Sequence, residues 1–268
     1  MTIQTKKRFG QHFLEKPWVN KLIDAIDPGQ DETFLEIGAG NGALTVELAN
    51  RTKKIVAVEI DRDLTANLQS RVPTNVAIIT KDFLALDLEQ SAELQTMIRV
   101  VGNLPYNASI PILKKLIRYS LNGKRFKDAN LMLQREVAKR ITAEPGSPDW
   151  GPLAVITQLY AEVKQTLQIP SGAFRPMPRV QSTFIHLRFR KPTQTLTNPQ
   201  LFEQMVRTLF TQRRKTALNA LRPLTLKIKS MPVEEVFNRA SLNPKRRPGQ
   251  FSLSELAELS EVLGSSTL

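Results

Sequence analysis

Four consecutive residues, Asn103-Leu104-Pro105-Tyr106, have the side chains and order needed to act on an aromatic amino group. The lone pair of such a nitrogen is delocalised into its ring, so it attacks well only when acceptors draw its two hydrogens out of the ring plane. The amide oxygen of Asn103 and the backbone carbonyl of Leu104 are suitable acceptors, and Pro105 would hold the turn rigid. Tyr106 offers a ring on which an extruded base can stack. Taken alone, the tetrapeptide would favour an ordinary turn, and its place after the fourth predicted strand favours the catalytic interpretation.

A glycine-rich turn supplies the second chemical feature. Gly38, Gly40 and Gly42 follow an apolar run and precede a helical pattern, so the backbone can turn tightly and approach a ligand closely. Glu59 ends the next apolar run, where a carboxylate can accept hydrogen bonds from a ribose diol. Glu36 is either a direct ligand or a carboxylate that supports the turn. These features fit both a nicotinamide dinucleotide and a smaller nucleoside cofactor.

Residues after the next two apolar runs favour the smaller cofactor. Asp82 could bind an adenine amino group and Phe83 could form a wall for the ring, while the tetrapeptide follows the fourth run. The carboxyl ends of parallel strands border one crevice, so a compact nucleoside would reach all of these positions. We therefore expect S-adenosylmethionine rather than a dinucleotide.

The elements that must position these residues alternate in type. Short apolar runs predict strands at Phe34 to Ile37, Ile55 to Val58, Val76 to Ile79, Val100 to Val101 and Leu131 to Leu133. Helical spacing occurs at Pro17 to Ile26, Ala43 to Asn50, Leu64 to Arg71, Ile110 to Tyr119, Val137 to Thr142 and Leu153 to Tyr160. This alternation predicts an α/β fold with a parallel, doubly wound, Rossmann-like sheet.

The later part of the chain has different patterns. Val163 to Ile169 and Thr183 to Phe189 alternate apolar and polar residues, which predicts an antiparallel hairpin at one edge of the sheet. Lys191 to Pro199 is rich in Thr, Pro, Gln and Asn and marks a boundary. Beyond it, four segments are helical: Leu201 to Phe210, Lys215 to Leu221, Val233 to Ala240 and Ser254 to Leu263. We predict a catalytic domain at 1–192 and a small, all-α, basic domain at 193–268.

Composition indicates a polyanionic partner. The chain has 38 Lys and Arg against 25 Asp and Glu, a formal net charge of +13. It has no cysteine and 2 histidines, which excludes thiolate chemistry and argues against a metal site. No apolar run is long enough to span a membrane and no targeting segment is evident, so we expect a cytoplasmic monomer that contacts no membrane.

The chain resembles the ribosomal RNA adenine N6,N6-dimethyltransferases almost from end to end. Seven segments and the single residue Asp82 carry the resemblance; the segments are Lys7 to Leu14, Glu36 to Gly42, Glu59 to Asp61, Asn103 to Tyr106, Leu133 to Glu136, Phe174 to Ser182 and Gln212 to Thr216. It implies an S-adenosylmethionine-dependent enzyme that dimethylates two adjacent adenosines near the 3′ end of 16S rRNA in the small ribosomal subunit, during ribosome biogenesis.

The resemblance also implies roles for individual residues. Cofactor contacts are implied at His12, Leu14, Gly38, Gly40, Glu59, Asp82 and Asn103, with Ile60 and Phe83 flanking the cofactor adenine. Phe174 is implied to stack on the target base opposite Tyr106. The family often has asparagine where this chain has His12, so a backbone contact is better supported there than a side-chain contact.

Basic residues supply candidate RNA contacts. Arg213, Arg214 and Lys215 lie in a stretch without acidic residues, and Lys7 and Arg8 lie beside the predicted cofactor turn. Several alternatives remain: a large-subunit rRNA adenine methyltransferase, an RNA-binding ribosome-assembly factor, a DNA adenine methyltransferase and, most distantly, a nicotinamide-dependent oxidoreductase. Relatives that methylate large-subunit rRNA tend to have isoleucine where Leu104 stands, which favours the small subunit. We expect no DNA substrate.

Overall fold

The chain begins with a short strand and a helix in a computed structural model that describes residues 11–89, 97–121, 126–192 and 194–265. The strand is β1 (Phe13–Leu14) and the helix is α1 (Lys16–Ile26). Pro17 stands in the first turn of α1, where its missing N–H leaves no bond unmade. The apolar residues of α1 recur on one face and are buried, which confirms the helix predicted there.

The five predicted strands form the parallel part of a seven-stranded sheet. They are β2 (Thr33–Ile37), β3 (Lys54–Glu59), β4 (Val76–Thr80), β5 (Ile98–Asn103) and β6 (Phe126–Gln134). Four of the five are largely buried, as continuously apolar strands covered on both faces should be, while β4 is only partly so. The intervening helices are α2 (Ala43–Ala49), α3 (Arg62–Gln69) and α4 (Ser109–Leu121), and α5 (Arg135–Ile141) follows β6.

The predicted antiparallel hairpin lies at one edge of this sheet. Its strands are β7 (Ala161–Ile169) and β9 (Ser182–Phe189), and β9 also pairs antiparallel with β6. Between them, β8 (Phe174–Arg175) pairs antiparallel with β1 in a separate two-stranded sheet. The strand order is β4-β3-β2-β5-β6-β9-β7. The predicted fold class is confirmed.

The order of the strands fixes where a ligand can bind. The chain runs outward from β2 through β3 to β4, then returns to the other side of β2 to form β5. The connection that follows β2 leads to β3 on one side, and the connection that follows β5 leads to β6 on the other side. Because these two connections run in opposite directions, a crevice opens beyond the carboxyl ends of β2 and β5. The predicted catalytic and cofactor residues that follow these strands should lie around this crevice.

Two units can be recognised in the chain, each with its own contacts. One takes in residues up to Ala138 together with Ala161–Arg190, and the other takes in Lys139–Tyr160 together with the residues from Lys191 on. The second unit contains α6 (Pro152–Tyr160), α7 (Pro199–Thr211), α8 (Ala217–Lys227), α9 (Val233–Arg239) and α10 (Leu253–Gly264). Residues 139–160 thus group with the C-terminal helices, while the division into domains at 1–192 and 193–268 stays a prediction.

A buried group of charges holds the amino ends of β5 and β6 in the first unit. The guanidinium of Arg99 contacts the Asp128 carboxylate at 2.9–3.1 Å and the Glu32 carboxylate at 2.7 Å. It also donates to the carbonyls of Ile26 and Asp27, where α1 ends. Burial acts to raise the pKa of both carboxyls, but His186 and Arg99 hold the pKa of Asp128 below its usual range. Lys127, the Gly29 N–H and Arg99 do the same for the pKa of Glu32. The cluster lies at the end of the sheet opposite the crevice.

None of the helices in the described residues is long and apolar enough to cross a membrane.

Candidate active site

A cavity of about 220 Å³ lies at the carboxyl ends of β2 to β5 in the first unit. Most of the predicted catalytic and cofactor residues line it: His12, Gly38, Gly40, Glu59, Ile60, Asp82, Phe83, Asn103, Leu104, Pro105 and Tyr106. They come from five separate stretches of chain, so the sheet topology brings them together. Phe13 and Ile112 also line the cavity, although no sequence signal identified them.

The glycine turn after β2 forms the floor of the cavity. Gly38 and Gly40 have φ angles of +76° and +58°, in the left-handed region that residues with a Cβ rarely adopt. The Gly38 N–H donates to the carbonyl of Val58 at 2.8 Å, and the Gly40 N–H donates to the Glu59 carboxylate at 2.8 Å. The turn after β2 is therefore joined directly to the end of β3.

The carboxylate of Glu59 is fixed by three backbone N–H groups. One oxygen accepts from Gly40, and the other accepts from Ile60 at 2.9 Å and from Asp61 at 3.0 Å. The residue is 7% exposed and still borders the cavity. A carboxylate held in this way keeps a constant orientation, as a group that accepts ligand hydroxyls must.

Glu36 lies behind the same turn, outside the lining of the cavity. It is 2% exposed, and its Oε2 has no hydrogen-bond partner among the described residues. Burial raises the pKa of Glu36 to about 8, and the nearby Glu59 carboxylate adds to the rise. Glu36 is therefore protonated at neutral pH, and its position favours the role of a support for the turn over that of a direct ligand.

Asp82 and Phe83 form one wall of the cavity. The Asp82 carboxylate accepts a hydrogen bond from the Leu84 N–H at 2.8 Å and so caps a single turn of 3-10 helix, Phe83–Ala85. The Phe83 side chain is 4% exposed and faces the cavity. The cap leaves the second carboxylate oxygen of Asp82 available to a ligand.

The side-chain amide of Asn103 has a defined orientation. Its Nδ2 donates to the backbone carbonyl of His12 at 2.9 Å, which leaves Oδ1 as an acceptor at the cavity. The Leu104 N–H donates to the carbonyl of Met132 at 3.3 Å, and no donor among the described residues occupies the Leu104 carbonyl. The two predicted acceptors are therefore both available.

Tyr106 is held by contacts on two sides. Its hydroxyl shares a hydrogen bond with Ser182 Oγ at 3.0 Å, and burial raises its pKa. The His12 ring stacks on the Tyr106 ring with 5.6 Å between centroids and 26° between planes. The His12 Nδ1–H donates to the carbonyl of Pro176 at 2.7 Å. His12 therefore covers one face of the ring that is predicted to receive a base.

Phe174 and Leu14 lie outside the lining of the cavity. They are paired across β1 and β8, and Phe174 is fully buried in the hydrophobic core while Leu14 packs against that core. In this conformation Phe174 offers no face to a base, so its predicted stacking requires the side chain to leave the core. Stacking by Phe174 and cofactor contact by Leu14 stay predictions.

The predicted RNA-binding residues fall in two places. Lys7 and Arg8 lie outside the described residues. Arg213, Arg214 and Lys215 form an exposed turn after α7 in the second unit. Within that unit Arg213 donates to the carbonyl of Pro148 at 2.9 Å, whereas the side chains of Arg214 and Lys215 form no ion pair with described residues.

Comparison with known proteins gives the family and close relatives. The family model for ribosomal RNA adenine dimethylase matches residues 2–257. The chain is 36% identical over 264 residues to ribosomal RNA small subunit methyltransferase A of Acinetobacter baylyi, covering 97% of this chain and 93% of the relative. A protein of the same name from Clostridium botulinum is 36% identical over 261 residues, covering 96% of this chain and 93% of the relative.

Two solved structures share the fold. A dimethyladenosine transferase from Plasmodium falciparum has a TM-score of 0.77 at 24% identity, covering 92% of this chain and 96% of that chain. The 23S rRNA methyltransferase ErmE has a TM-score of 0.67 at 22% identity, covering 94% and 99%. At such identities the likeness concerns the fold alone.

Proposed function

This chain belongs to the ribosomal RNA adenine dimethylase family, and we propose that it dimethylates the N6 amino groups of two adjacent adenosines near the 3′ end of 16S rRNA. Family membership and the similarity to small-subunit methyltransferases make it an adenine dimethyltransferase of small-subunit rRNA. The observation that carries the proposed mechanism is the orientation of Asn103, whose Nδ2 donates to the His12 carbonyl, which leaves the acceptor Oδ1 for the cavity.

The cavity suits S-adenosylmethionine as the methyl donor. The carboxylates of Glu59 and Asp82 would hold the ribose diol and the adenine amino group, and the glycine turn leaves room for a ligand to approach the backbone. Phe83 and Ile60 would flank the adenine. When bound, this cofactor supplies an electrophilic methyl group on a sulfonium sulfur.

Asn103 and Leu104 prepare the substrate nitrogen. The Asn103 amide oxygen and the Leu104 carbonyl would each accept one N–H of the adenine amino group, which draws the hydrogens out of the ring plane and directs the lone pair at the methyl group. Pro105 keeps both acceptors in place beforehand, and Tyr106 supports the extruded base by stacking. No general base with a tuned pKa is needed, because the methylated ammonium product loses its proton readily to water.

Methyl transfer to defined nucleic acids tests this proposal. The protein is incubated with methyl-labelled S-adenosylmethionine in three separate reactions, which contain unmethylated small subunits, large-subunit rRNA or DNA. The modified nucleoside is then identified in each reaction. We expect dimethyladenosine with small subunits alone. Label in large-subunit rRNA or DNA would identify another substrate, and RNA binding without label would identify an assembly factor.

We further expect a cytoplasmic monomer.

A further inference from the structure

Lys115 makes an unusual set of contacts next to the cavity. It lies on α4, and its ammonium donates to three backbone carbonyls, those of Phe83 at 2.7 Å, Leu84 at 2.9 Å and Leu86. All three belong to the short turn that presents Asp82 and Phe83. The Phe83 carbonyl also accepts the Leu86 N–H at 3.2 Å within the turn, so Lys115 is its second donor. For the carbonyls of Leu84 and Leu86, at the end of the turn, Lys115 is the donor.

Two aromatic rings complete the surroundings of this ammonium. It lies 5.0 Å from the centroid of the Phe83 ring and 5.8 Å from that of Tyr119, within the range of cation–π attraction. Burial lowers the pKa of Lys115, while Asp82 and Asp87 act in the opposite direction. The group is therefore partly removed from water and directed at the turn, unlike a lysine that extends into solvent.

Lys115 joins two walls of the cavity. One wall is the Asp82–Phe83 turn, and the other is α4, whose Ile112 faces the cavity one helical turn before Lys115. The same helix follows the tetrapeptide closely. The hydrogen bonds of Lys115 therefore fix the distance between the Asp82–Phe83 turn, which is the predicted adenine wall, and α4, which follows the catalytic residues.

We propose that Lys115 is a positioning residue for the adenine end of the cofactor, because it holds the Asp82–Phe83 wall at a fixed distance from α4. This inference rests on the proposed use of S-adenosylmethionine. It assigns Lys115 no contact with substrate or with the reacting methyl group, so the effect belongs to cofactor affinity rather than to the chemical step.

The neighbouring residue Lys114 provides a matched control. It lies on the same helix and carries the same charge, but it is exposed and makes no hydrogen bond with the described residues. A general effect of positive charge near the cavity would be shared by both lysines. An effect of the bonds to the turn belongs to Lys115 alone.

Calorimetric titration with S-adenosylhomocysteine tests the inference. We expect Lys115→Met and Lys115→Gln to bind it about 10- to 100-fold more weakly than wild type, because charge-assisted hydrogen bonds that hold the wall are lost. Lys115→Arg should retain affinity within about threefold, since a guanidinium can reach at least two carbonyls. Lys114→Met should match wild type. At saturating S-adenosylmethionine, kcat should stay near the wild-type value while KM for the cofactor rises.

Methylthioadenosine locates the effect, since it has the adenosine part and lacks the amino-acid part. Its affinity should fall in Lys115→Met by the same factor as that of S-adenosylhomocysteine. Equal binding by Lys115→Met and wild type, or a loss confined to S-adenosylhomocysteine, would overturn the inference. If Lys115→Met does not fold, Lys115→Gln decides by the same criteria. Failure of wild type to bind S-adenosylhomocysteine would instead contradict the proposed function.

Discussion

Asn103 shows how a backbone contact can determine the chemistry of a side chain. Its amide could present either a donor or an acceptor to the cavity, and the hydrogen bond from Nδ2 to the His12 carbonyl selects the acceptor. The tetrapeptide, the glycine turn, Glu59 and Asp82 could be predicted from sequence because each ends a recognisable strand. The stacking of His12 on Tyr106 and the burial of Phe174 could not, because both depend on side-chain packing between distant segments.

Replacing Asn103 by alanine should remove methyl transfer without removing cofactor binding through Glu59 and Asp82. We expect kcat to fall about 100-fold or more, the usual effect of removing one preorganised polar contact from a transition state. The steady-state rate of methylation of unmethylated small subunits at saturating S-adenosylmethionine measures the change. Asn67→Ala, an exposed substitution on α3, is the control and should match wild type. A kcat within threefold of wild type for Asn103→Ala would exclude the acceptor role.

Glu36 predicts a dependence of stability on pH. The pKa of Glu36 is about 8 in the folded protein against 4.5 for an unperturbed carboxyl, so the folded state binds the proton more tightly than the unfolded state. The contribution of this proton to the free energy of unfolding is therefore complete below about pH 4.5 and is lost as the pH rises to about 8. Wild type should therefore lose stability relative to Glu36→Gln by about 1.4 kcal/mol per pH unit within that window. Urea unfolding of both proteins from pH 5 to pH 9 measures the difference.

The change of slope, not the absolute stability, carries this test. Glutamine stays neutral at every pH, so any cost of its buried amide is constant across the titration. Glu47→Gln on α2 is the matched control, since that side chain is partly exposed. A difference between wild type and Glu36→Gln that does not vary with pH would show that Glu36 does not titrate in this range.

At the scale of elements, hydrophobic pattern accounts for most of the fold. Strands β2 to β6 and the hairpin of β7 and β9 were predictable, because buried strands and half-buried strands have different periodicities. The pairing of β1 with β8 was not, because two-residue strands are too short to show a period. The charge cluster of Arg99, Asp128 and Glu32 was also hidden, since charged residues in a strand pattern predict exposure rather than burial.

That cluster should matter for stability and not for the site. Asp128→Asn removes one of the two carboxylates that contact the buried Arg99 guanidinium and leaves Glu32 in place, so we expect a loss of about 1.5–3 kcal/mol in unfolding free energy. Asp24→Asn, which removes one partner of the exposed pair with Arg51, should cost less than about 1 kcal/mol. Urea denaturation measures both. Affinity of the folded protein for S-adenosylhomocysteine should be unchanged, and a loss of that affinity would contradict the assigned role.

At the scale of the whole molecule, the excess positive charge is expected to serve RNA binding, whereas the residues around the cavity are expected to serve methyl transfer. Composition predicted a polyanionic partner but not which cations are available to it. Arg213 is engaged by the Pro148 carbonyl, and Arg222 and Arg239 are paired with Glu234 and Glu235. Such pairings depend on tertiary structure, so the sequence could identify the basic stretch without distinguishing free from neutralised members.

Arg214 and Lys215 should account for part of the salt dependence of RNA binding. Replacing both with glutamine should lower the slope of log affinity against log salt by about 1–2, since each phosphate contact contributes about 0.7–0.9. Filter binding to small-subunit rRNA at several salt concentrations measures the slope. The double variant Arg222→Gln/Arg239→Gln, which removes paired cations, should change it less. Equal slopes for wild type and the Arg214/Lys215 variant would exclude this turn as an RNA contact.

Mapping the methylated nucleotides tests the central claim most directly. Unmethylated small subunits are incubated with S-adenosylmethionine and either wild type or Asn103→Ala, and the 3′-terminal fragment of the rRNA is analysed by mass spectrometry. We predict two adjacent N6,N6-dimethyladenosines with wild type and unmodified adenosines with Asn103→Ala. Methylation at another position, or the same modification by both proteins, would contradict the account.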